Sequence, residues 1–179
     1  VNTIYGEISD IDLDNQIVSV GQTKVDYSEL IIGLGCEDKY HNVPGAKEYT
    51  HSIQTLSKAR ETFHSISELP KGARVGIVGA GLSGIELASE LRESRTDLEI
   101  ILYDRGPRIL RNFPEKLSNY IAKWFRENNV NVVPNSLIDK VEQGTIYNNG
   151  TPEPVDIVVW TAGIQPVEIV RKLPIDTNK

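Results

Sequence analysis

The sequence of 179 residues contains no methionine and only one cysteine, Cys36. A single cysteine excludes a disulfide framework within the chain, which favours a reducing compartment and predicts a cytoplasmic location. Because translation begins with methionine, its absence predicts that the chain is an excised part of a longer polypeptide.

The sequence also lacks long apolar runs and an excess of positive charge. No apolar run approaches the roughly 20 residues that a membrane-spanning helix needs. There are 19 Lys and Arg against 25 Asp and Glu, so the formal net charge is -6. A nucleic-acid surface needs clustered cations, and nucleic acid is therefore excluded as a partner. The length predicts one full domain, or one domain with part of another.

The first third of the chain has the patterns of a small β-structure followed by a helix. Apolar and polar residues alternate over residues 3–20 around Asp14-Asn15, which predicts a β-hairpin. The apolar run over residues 29–35 predicts a buried strand that ends in glycines. Residues 55–66 have apolar positions at helical spacing, with Thr55 as the N-cap.

After a boundary at residues 70–72, strands and helices alternate. We expect them over residues 74–78, 82–93, 98–103, 114–128 and 130–133 in turn. This order predicts an α/β fold with a Rossmann-like parallel sheet and helices on both faces. Residues 137–141 and 145–147 predict a small antiparallel β-meander, and residues 155–160 predict a last buried strand.

A glycine motif joins the first of these strands to its helix. The motif is G-x-G-x-x-G, it follows the strand directly and it opens the helix. Asp104 closes the next strand, 20 residues beyond Gly84. Together these three features predict a dinucleotide-binding site. Its loop residues are Gly79, Ala80, Gly81, Leu82, Ser83 and Gly84.

Each glycine of the motif has a separate physical task. Gly79 permits the tight turn, Gly81 lets a pyrophosphate approach the backbone, and Gly84 lets the helix pack closely on the strand. The helix N-terminus adds free N–H groups and a partial positive charge, both of which favour phosphate.

Asp104 and its neighbours predict which dinucleotide binds. The Asp104 carboxylate can accept hydrogen bonds from ribose hydroxyls and would repel a 2′-phosphate, which favours NAD(H) over NADP(H). Arg105 opposes that preference, because an arginine can pair with a 2′-phosphate. Arg105, Arg108 and Arg111 are either surface charge or contacts to the adenosine end. Glu86 is either a nicotinamide contact or a carboxylate that stabilises the helix dipole.

We predict no metal site. Asp10, Asp12 and Asp14 match the start of a calcium loop, but the glycine and the glutamate required at positions six and twelve are missing. The histidines share no ligand spacing with each other or with the single cysteine; they are His41, His51 and His64.

Four segments resemble one family of flavoproteins. Residues 79–91 resemble the second dinucleotide motif of the pyridine nucleotide-disulfide oxidoreductase superfamily, and within it they are most similar to the type II NADH dehydrogenases, which are NADH:quinone oxidoreductases. Residues 25–35 resemble that family's YDYLVVALG strand, and Val43-Pro44-Gly45 resembles its IPG loop. Residues 156–166 resemble its D.V.W.AG..P strand. The resemblance runs from about residue 1 to about residue 173.

The resemblance implies a flavin domain that is split around an NAD(H)-binding domain. Residues 1–70 would end the first half of the FAD domain, residues 71–155 would bind NAD(H), and residues 156–179 would return to the FAD domain. It places Glu86 near the nicotinamide. Gly163 is expected to bring its backbone close to the dinucleotide, and no catalytic acid or base is required from this chain.

The resemblance also implies the activity of the intact protein. Hydride would pass from NADH to FAD, and electrons would then pass to an acceptor, a quinone. Attachment to the inner face of the cell membrane and a homodimer are compatible with this reading. Two other functions stay open: a reductase of a disulfide, ferredoxin or peroxide, and a non-catalytic module that senses NADH. The isolated chain is expected to be inactive.

Overall fold

Residues 2–176 are described by a computed structural model, and the chain falls into two units. The smaller unit comprises the chain up to Glu37 and from Gln165 onward, and the larger unit comprises Asp38–Ile164. Among the described residues, no helix has both the length and the apolar character to cross a membrane.

The smaller unit contains a three-stranded antiparallel sheet in the order β1 (Ile8–Asp12), β2 (Ile17–Val20) and β3 (Thr23–Asp26). The predicted hairpin is confirmed, and β3 extends it. The Asp12 carboxylate accepts a 2.8 Å hydrogen bond from the Asn15 side-chain amide and a 2.9 Å hydrogen bond from the Asn15 N–H, and these bonds lower the pKa of Asp12 and fix the turn. This aspartate therefore stabilises a turn.

The buried strand predicted over residues 29–35 is wrong, because this segment has no regular structure and Ile31 is 96% exposed. A run this apolar needs neighbouring strands and covered faces. No strand in the described part of the smaller unit pairs with it. Strand β4 (Cys36–Asp38) begins directly after the segment.

The larger unit is built on a four-stranded parallel sheet in the order β11-β5-β6-β7. The four strands are β5 (Arg74–Val78), β6 (Glu99–Tyr103), β7 (Val130–Val133) and β11 (Ile157–Trp160). The helices are α1 (Ala46–Tyr49), α2 (Leu56–Ser67), α3 (Leu82–Ser94) and α4 (Glu115–Glu127). Thr55 caps α2 as predicted, since its side chain accepts a hydrogen bond from the Lys58 N–H. The predicted α/β fold is confirmed.

The two faces of the parallel sheet are covered differently. On one face, Val75 and Ile77 of β5 pack with Ile85 and Ala88 of α3 and with Phe125 of α4. The other face is covered mainly by the antiparallel meander, and the one-turn helix α1 is the helix that joins it, through the buried Ala46. Helices were expected on both faces of the sheet. On this second face, α1 is the helix that contributes, and the meander covers the rest.

The meander consists of β8 (Ile138–Glu142), β9 (Thr145–Asn148) and β10 (Thr151–Pro154). The sequence predicts the first two strands but not β10. Two of the four residues of β10 are prolines, Pro152 and Pro154, and β10 lies at the edge of its sheet. Proline is tolerated in edge strands and weakens the strand signal in a sequence.

The larger unit extends across the domain boundary predicted near residue 70. Ile66 of α2 is buried in the main core, and the Arg95 guanidinium donates hydrogen bonds to the Ile66 and Leu69 carbonyls at 2.8 and 3.0 Å. Its ion pair with Asp97 lowers the pKa of that carboxyl to about 2. The two units are defined by packing contacts and not by the ligands they bind. The assignment of residues 1–70 and 156–179 to an FAD domain, and of residues 71–155 to NAD(H) binding, therefore stays a prediction.

Beyond β11, the chain continues through β12 (Ile164–Pro166) and the short helix α5 (Glu168–Arg171). Within the smaller unit, the Glu37 carboxylate accepts a 2.7 Å hydrogen bond from Arg171 and a 3.0 Å hydrogen bond from Gln165. These bonds hold the returning segment of the chain against the segment that leaves the unit.

We predict that Tyr103→Phe destabilises the larger unit. The Tyr103 hydroxyl donates a 2.7 Å hydrogen bond to Glu153, which joins β6 to β10, and the side chain is fully buried. Its loss should lower the free energy of unfolding by about 1–2 kcal/mol in urea titrations. Tyr120→Phe is the matched control, because Tyr120 is 70% exposed and should change the free energy by less than about 0.5 kcal/mol.

The stability of the same two variants should also differ in its dependence on pH. Burial raises the pKa of Tyr103 above its ordinary value of 10.0, so the folded chain keeps a proton that the unfolded chain loses. Stability should therefore fall as the pH rises above about 10, and it should fall less steeply in Tyr103→Phe. Equal slopes for the wild type and both variants would contradict this account.

Candidate functional site

A cavity of about 600 Å³ opens at the carboxyl ends of the parallel strands in the larger unit. The turn after β5 contributes Gly79, Ala80 and Gly81, while Asp104 follows β6 and Thr161 follows β11. In open parallel sheets, the crevice beyond the carboxyl ends is the usual place for a ligand.

The three glycines of the motif occupy different environments. A Cβ on Gly79 would lie 2.8 Å from the Ala162 Cα, and the φ of 106° at this turn suits glycine. A Cβ on Gly84 would overlap the Gly79 carbonyl oxygen. A Cβ on Gly81 would meet no atom within 4 Å. The first and third glycines therefore permit close packing, and the second leaves space on the cavity side.

Hydrogen bonds from neighbouring residues fix the turn through its backbone carbonyls and the Gly79 N–H. The Gly79 N–H donates to the Tyr103 carbonyl at 2.8 Å, and the Ala80 carbonyl accepts from the Leu110 N–H at 3.0 Å. The Thr161 hydroxyl lies 2.9 Å from both the Val78 and the Gly79 carbonyls. The carbonyls of the turn are thus engaged by protein, and the turn can present N–H groups to the cavity.

The N-terminus of α3 supplies those N–H groups. Gly81 is the N-cap and has no side chain, and the Ile85 N–H is the donor that pairs with its carbonyl, at 3.1 Å. The N–H groups of Leu82, Ser83 and Gly84 come before that donor, in the turn where a helix offers no partners. Together with the helix dipole they favour an anion.

Asp104 braces the glycine turn from the end of β6. One carboxylate oxygen accepts a 2.7 Å hydrogen bond from the Ala80 N–H, and the other accepts a 2.6 Å hydrogen bond from the Gly106 N–H. A carboxylate has about four acceptor positions, so both oxygens can accept a further donor. The sequence predicts this residue's position, but it does not predict the brace.

A loop before α1 forms the opposite wall, and sequence reasoning missed its contribution. The Lys39 N–H donates to the Gly163 carbonyl at 3.0 Å, and the His41 Nε2 lies 2.9 Å from the Ala162 carbonyl. The Trp160 indole donates to the Lys39 carbonyl at 3.0 Å. Gly163 has a φ of 142°, and a Cβ there would lie 3.0 Å from the His41 Nε2.

The remaining predicted residues divide between the cavity and other places. Arg105 and Arg111 are exposed and line the cavity. Arg108 instead donates to backbone carbonyls of residues 110–113. Glu86 is exposed on α3 and does not line the cavity. Among residues 2–176, no group of His, Cys, Asp or Glu side chains could hold a metal ion.

The cavity is positively charged on an acidic chain. Its ionised lining residues are Lys39, Arg105 and Arg111 against the single carboxylate of Asp104, whereas the whole chain has a net charge of -6. A local excess of cations in a cleft concentrates anions there. With the space at Gly81 and the uncapped helix, these charges suit a ligand that carries phosphate.

The fold is that of a flavoprotein oxidoreductase family. Residues 1–179 match the family described as pyridine nucleotide-disulphide oxidoreductase, and the chain belongs to that family. Over 175 residues it is 54% identical to the NADH dehydrogenase-like protein YutJ of Bacillus subtilis, which covers 97% of the chain and 49% of that protein. The family predicted from the sequence is thereby confirmed.

Two more distant proteins are also similar. The chain is 22% identical to a type II NADH:quinone oxidoreductase of Staphylococcus haemolyticus, over 96% of the chain and 49% of that protein. Its fold matches that of NDH2 from Plasmodium falciparum in complex with NADH, with a TM-score of 0.83 at 18% identity, over 93% of this chain and 41% of that one. The chain spans about half the length of the curated relatives it matches.

The glycine geometry predicts opposite outcomes for two alanine substitutions. Gly84→Ala should lower the free energy of unfolding by roughly 1–3 kcal/mol, because its Cβ would overlap the Gly79 carbonyl oxygen. Gly81→Ala is the control and should lower it by less than about 1 kcal/mol, since its Cβ would face open space. Urea unfolding measures both, and equal losses would contradict the packing described for Gly84.

Proposed function

We propose that the larger unit binds NADH in this cavity, as the NAD(H)-binding part of an FAD-dependent oxidoreductase. The observation that carries the proposal is the N-terminus of α3, which opens behind Gly81 without a capping side chain. This N-terminus lies where the cavity has three cations and one carboxylate. A pyrophosphate dianion is the part of a dinucleotide that such a place would bind.

The remaining residues would orient the two ends of the dinucleotide. The free acceptor positions of Asp104 would receive ribose hydroxyls, and Arg105 would lie at the adenosine end. Gly163 would bring its backbone toward the nicotinamide end, because it lies in the wall held by Lys39 and His41. Glu86, on the first turns of α3, is proposed to face the nicotinamide end from outside the cavity lining.

The chain's part in the reaction is to bind and to position. NADH supplies a hydride and FAD accepts it, so the hydride chemistry belongs to the cofactors. No side chain of this segment needs to move a proton in that transfer. Apolar residues also line the cavity, among them Val43, Leu137, Ile138 and Ile164, and a bound dinucleotide would cover them.

A quinone is the electron acceptor that we propose for the whole protein. The support is that one relative, from Staphylococcus haemolyticus, is named as a type II NADH:quinone oxidoreductase. Quinones with long side chains reside in the lipid bilayer, so peripheral attachment to the inner face of the cell membrane accompanies this proposal. A homodimer is compatible with it.

NADH binding tests the proposal on the 179-residue chain itself. Calorimetric titration should show one NADH per chain, and Gly81→Val should raise the dissociation constant at least about tenfold because its side chain fills the space left for the pyrophosphate. Gly33→Val is the matched control, since Gly33 lies outside the larger unit and its Cβ would also meet no atom within 4 Å. An absence of NADH binding to the wild-type chain would refute the proposal.

The acceptor is tested with the full-length protein that contains this chain. We expect steady-state oxidation of NADH with a water-soluble quinone analogue, and Gly81→Val should lower kcat/KM for NADH while it leaves the KM for the quinone unchanged. Turnover with a disulfide, ferredoxin or peroxide and none with the quinone would overturn the quinone assignment. NADH binding without turnover on any acceptor would favour a sensor.

A further inference from the structure

The cavity extends to both sides of the glycine turn. In the sheet order β11-β5-β6-β7, the turn after β5 lies between Asp104, which follows β6, and Gly163, which follows β11. Neighbouring strands lie about 4.8 Å apart, so roughly 10 Å separates these two positions. A dinucleotide with its pyrophosphate at the turn and its adenosine ribose at Asp104 would therefore place its nicotinamide on the Gly163 side.

Lys39 lies in the cavity wall on the Gly163 side. Its N–H donates to the Gly163 carbonyl at 3.0 Å, and its carbonyl accepts a hydrogen bond from the Trp160 indole at 3.0 Å. Its Cβ lies 3.9 Å from the position of a Cβ built on Gly163. Both hydrogen bonds use the backbone of Lys39, so they fix where its side chain begins without engaging the ammonium group.

The ionised residues of the lining are divided unequally between the two sides. Asp104, Arg105 and Arg111 belong to the segment that follows β6, so charges of both signs meet there. On the Gly163 side, Lys39 is the ionised residue of the described lining, and it takes part in none of the ion pairs found within residues 2–176. This side of the cavity consequently carries a positive charge.

Glu86 is the carboxylate that we propose at the nicotinamide end, and its charge opposes that of Lys39. It is exposed on α3 and does not line the cavity, whereas Lys39 does. Water and salt screen the field of an exposed charge, and the screening increases with distance. A ligand inside the cavity is therefore expected to interact more strongly with Lys39 than with Glu86.

The oxidised and reduced dinucleotides differ by one charge at the nicotinamide end. The nicotinamide ring of NAD⁺ is a pyridinium cation, whereas the ring of NADH, which holds one more hydride, is neutral. The pyrophosphate is the same in both. Two like charges about 6 Å apart near a protein surface repel by an amount that corresponds to roughly threefold to tenfold in a dissociation constant.

We propose that Lys39 is a specificity-determining residue that makes the cavity bind NADH more tightly than NAD⁺. This inference rests on the proposed function, because it needs the nicotinamide on the Gly163 side. When NADH gives up its hydride to the flavin, the ring that remains carries a positive charge beside the Lys39 ammonium. The cavity then holds the oxidised product less tightly than the reduced substrate, so the product leaves and the site is vacated for the next NADH.

Calorimetric titration of the 179-residue chain with NADH and with NAD⁺ tests this inference, and the readout is the ratio of the two dissociation constants. In the wild type, the dissociation constant of NAD⁺ should exceed that of NADH at least about threefold. Lys39→Gln should reduce this ratio about threefold or more. Attraction between Lys39 and the pyrophosphate is common to both ligands, so its loss cancels in the ratio, as does a purely structural effect of the substitution.

Two further variants show whether the charge itself is responsible. Lys39→Arg keeps the charge and should keep the wild-type ratio. Lys47→Gln is the matched control, because Lys47 is exposed on α1, does not line the cavity and should leave both dissociation constants unchanged. Added salt should reduce the ratio in the wild type and should reduce it less in Lys39→Gln, since salt screens a repulsion that the variant lacks.

The outcomes distinguish this inference from the function on which it rests. If NADH binds and Lys39→Gln leaves the ratio unchanged, the inference is refuted and the proposed function stands. The same conclusion follows if Lys39→Arg lowers the ratio as much as Lys39→Gln does, or if the wild type binds NAD⁺ as tightly as NADH. If neither dinucleotide binds, the proposed function fails and the inference fails with it.

Discussion

The turn between β5 and α3 is held by hydrogen bonds to both neighbouring strands of the sheet, and the site depends on this arrangement. Asp104, at the end of β6, accepts the Ala80 N–H, and Thr161, at the end of β11, engages the Val78 and Gly79 carbonyls. The carbonyls of the turn and the N–H groups of Gly79 and Ala80 are bonded to protein, and the helix that follows starts at Gly81 without a capping side chain. A preorganised backbone of this kind binds an anion without first having to reorder.

Electrostatics reinforce this geometry. The chain as a whole is acidic, yet Lys39, Arg105 and Arg111 outnumber Asp104 around the cavity. The arginines of the loop after β6 are placed differently, since Arg108 donates hydrogen bonds to backbone carbonyls of the loop while Arg105 and Arg111 line the cavity. Different residues of this loop thus fix its backbone and give the cavity its positive charge.

The sequence predicted the parts of this site that are local. The strand, the glycine turn, the helix and the acidic residue at the end of the next strand follow from one continuous pattern, because each depends on neighbours within a few residues or on the fixed geometry of a βαβ unit. It did not predict the wall formed by Lys39 and His41. The contact of His41 with the Ala162 carbonyl joins residues 121 positions apart, and no periodicity records such a pair.

Elsewhere the errors have physical causes as well. Residues 29–35 have a strand's composition, but among the described residues they lack the neighbouring strands that would make it one. In β10 the edge position accommodates two prolines, which a sequence pattern reads as a turn. Sequence patterns therefore predicted the structure correctly where adjacent residues determine the conformation. They failed where pairing with distant strands determines it.

A crystal structure of the 179-residue chain with bound NADH tests the central claim most directly. The account predicts electron density for the pyrophosphate against the first N–H groups of α3 at Gly81, with a ribose hydroxyl within hydrogen-bond distance of Asp104. Density for the dinucleotide elsewhere on the chain, with the space beside Gly81 filled by water, would contradict it.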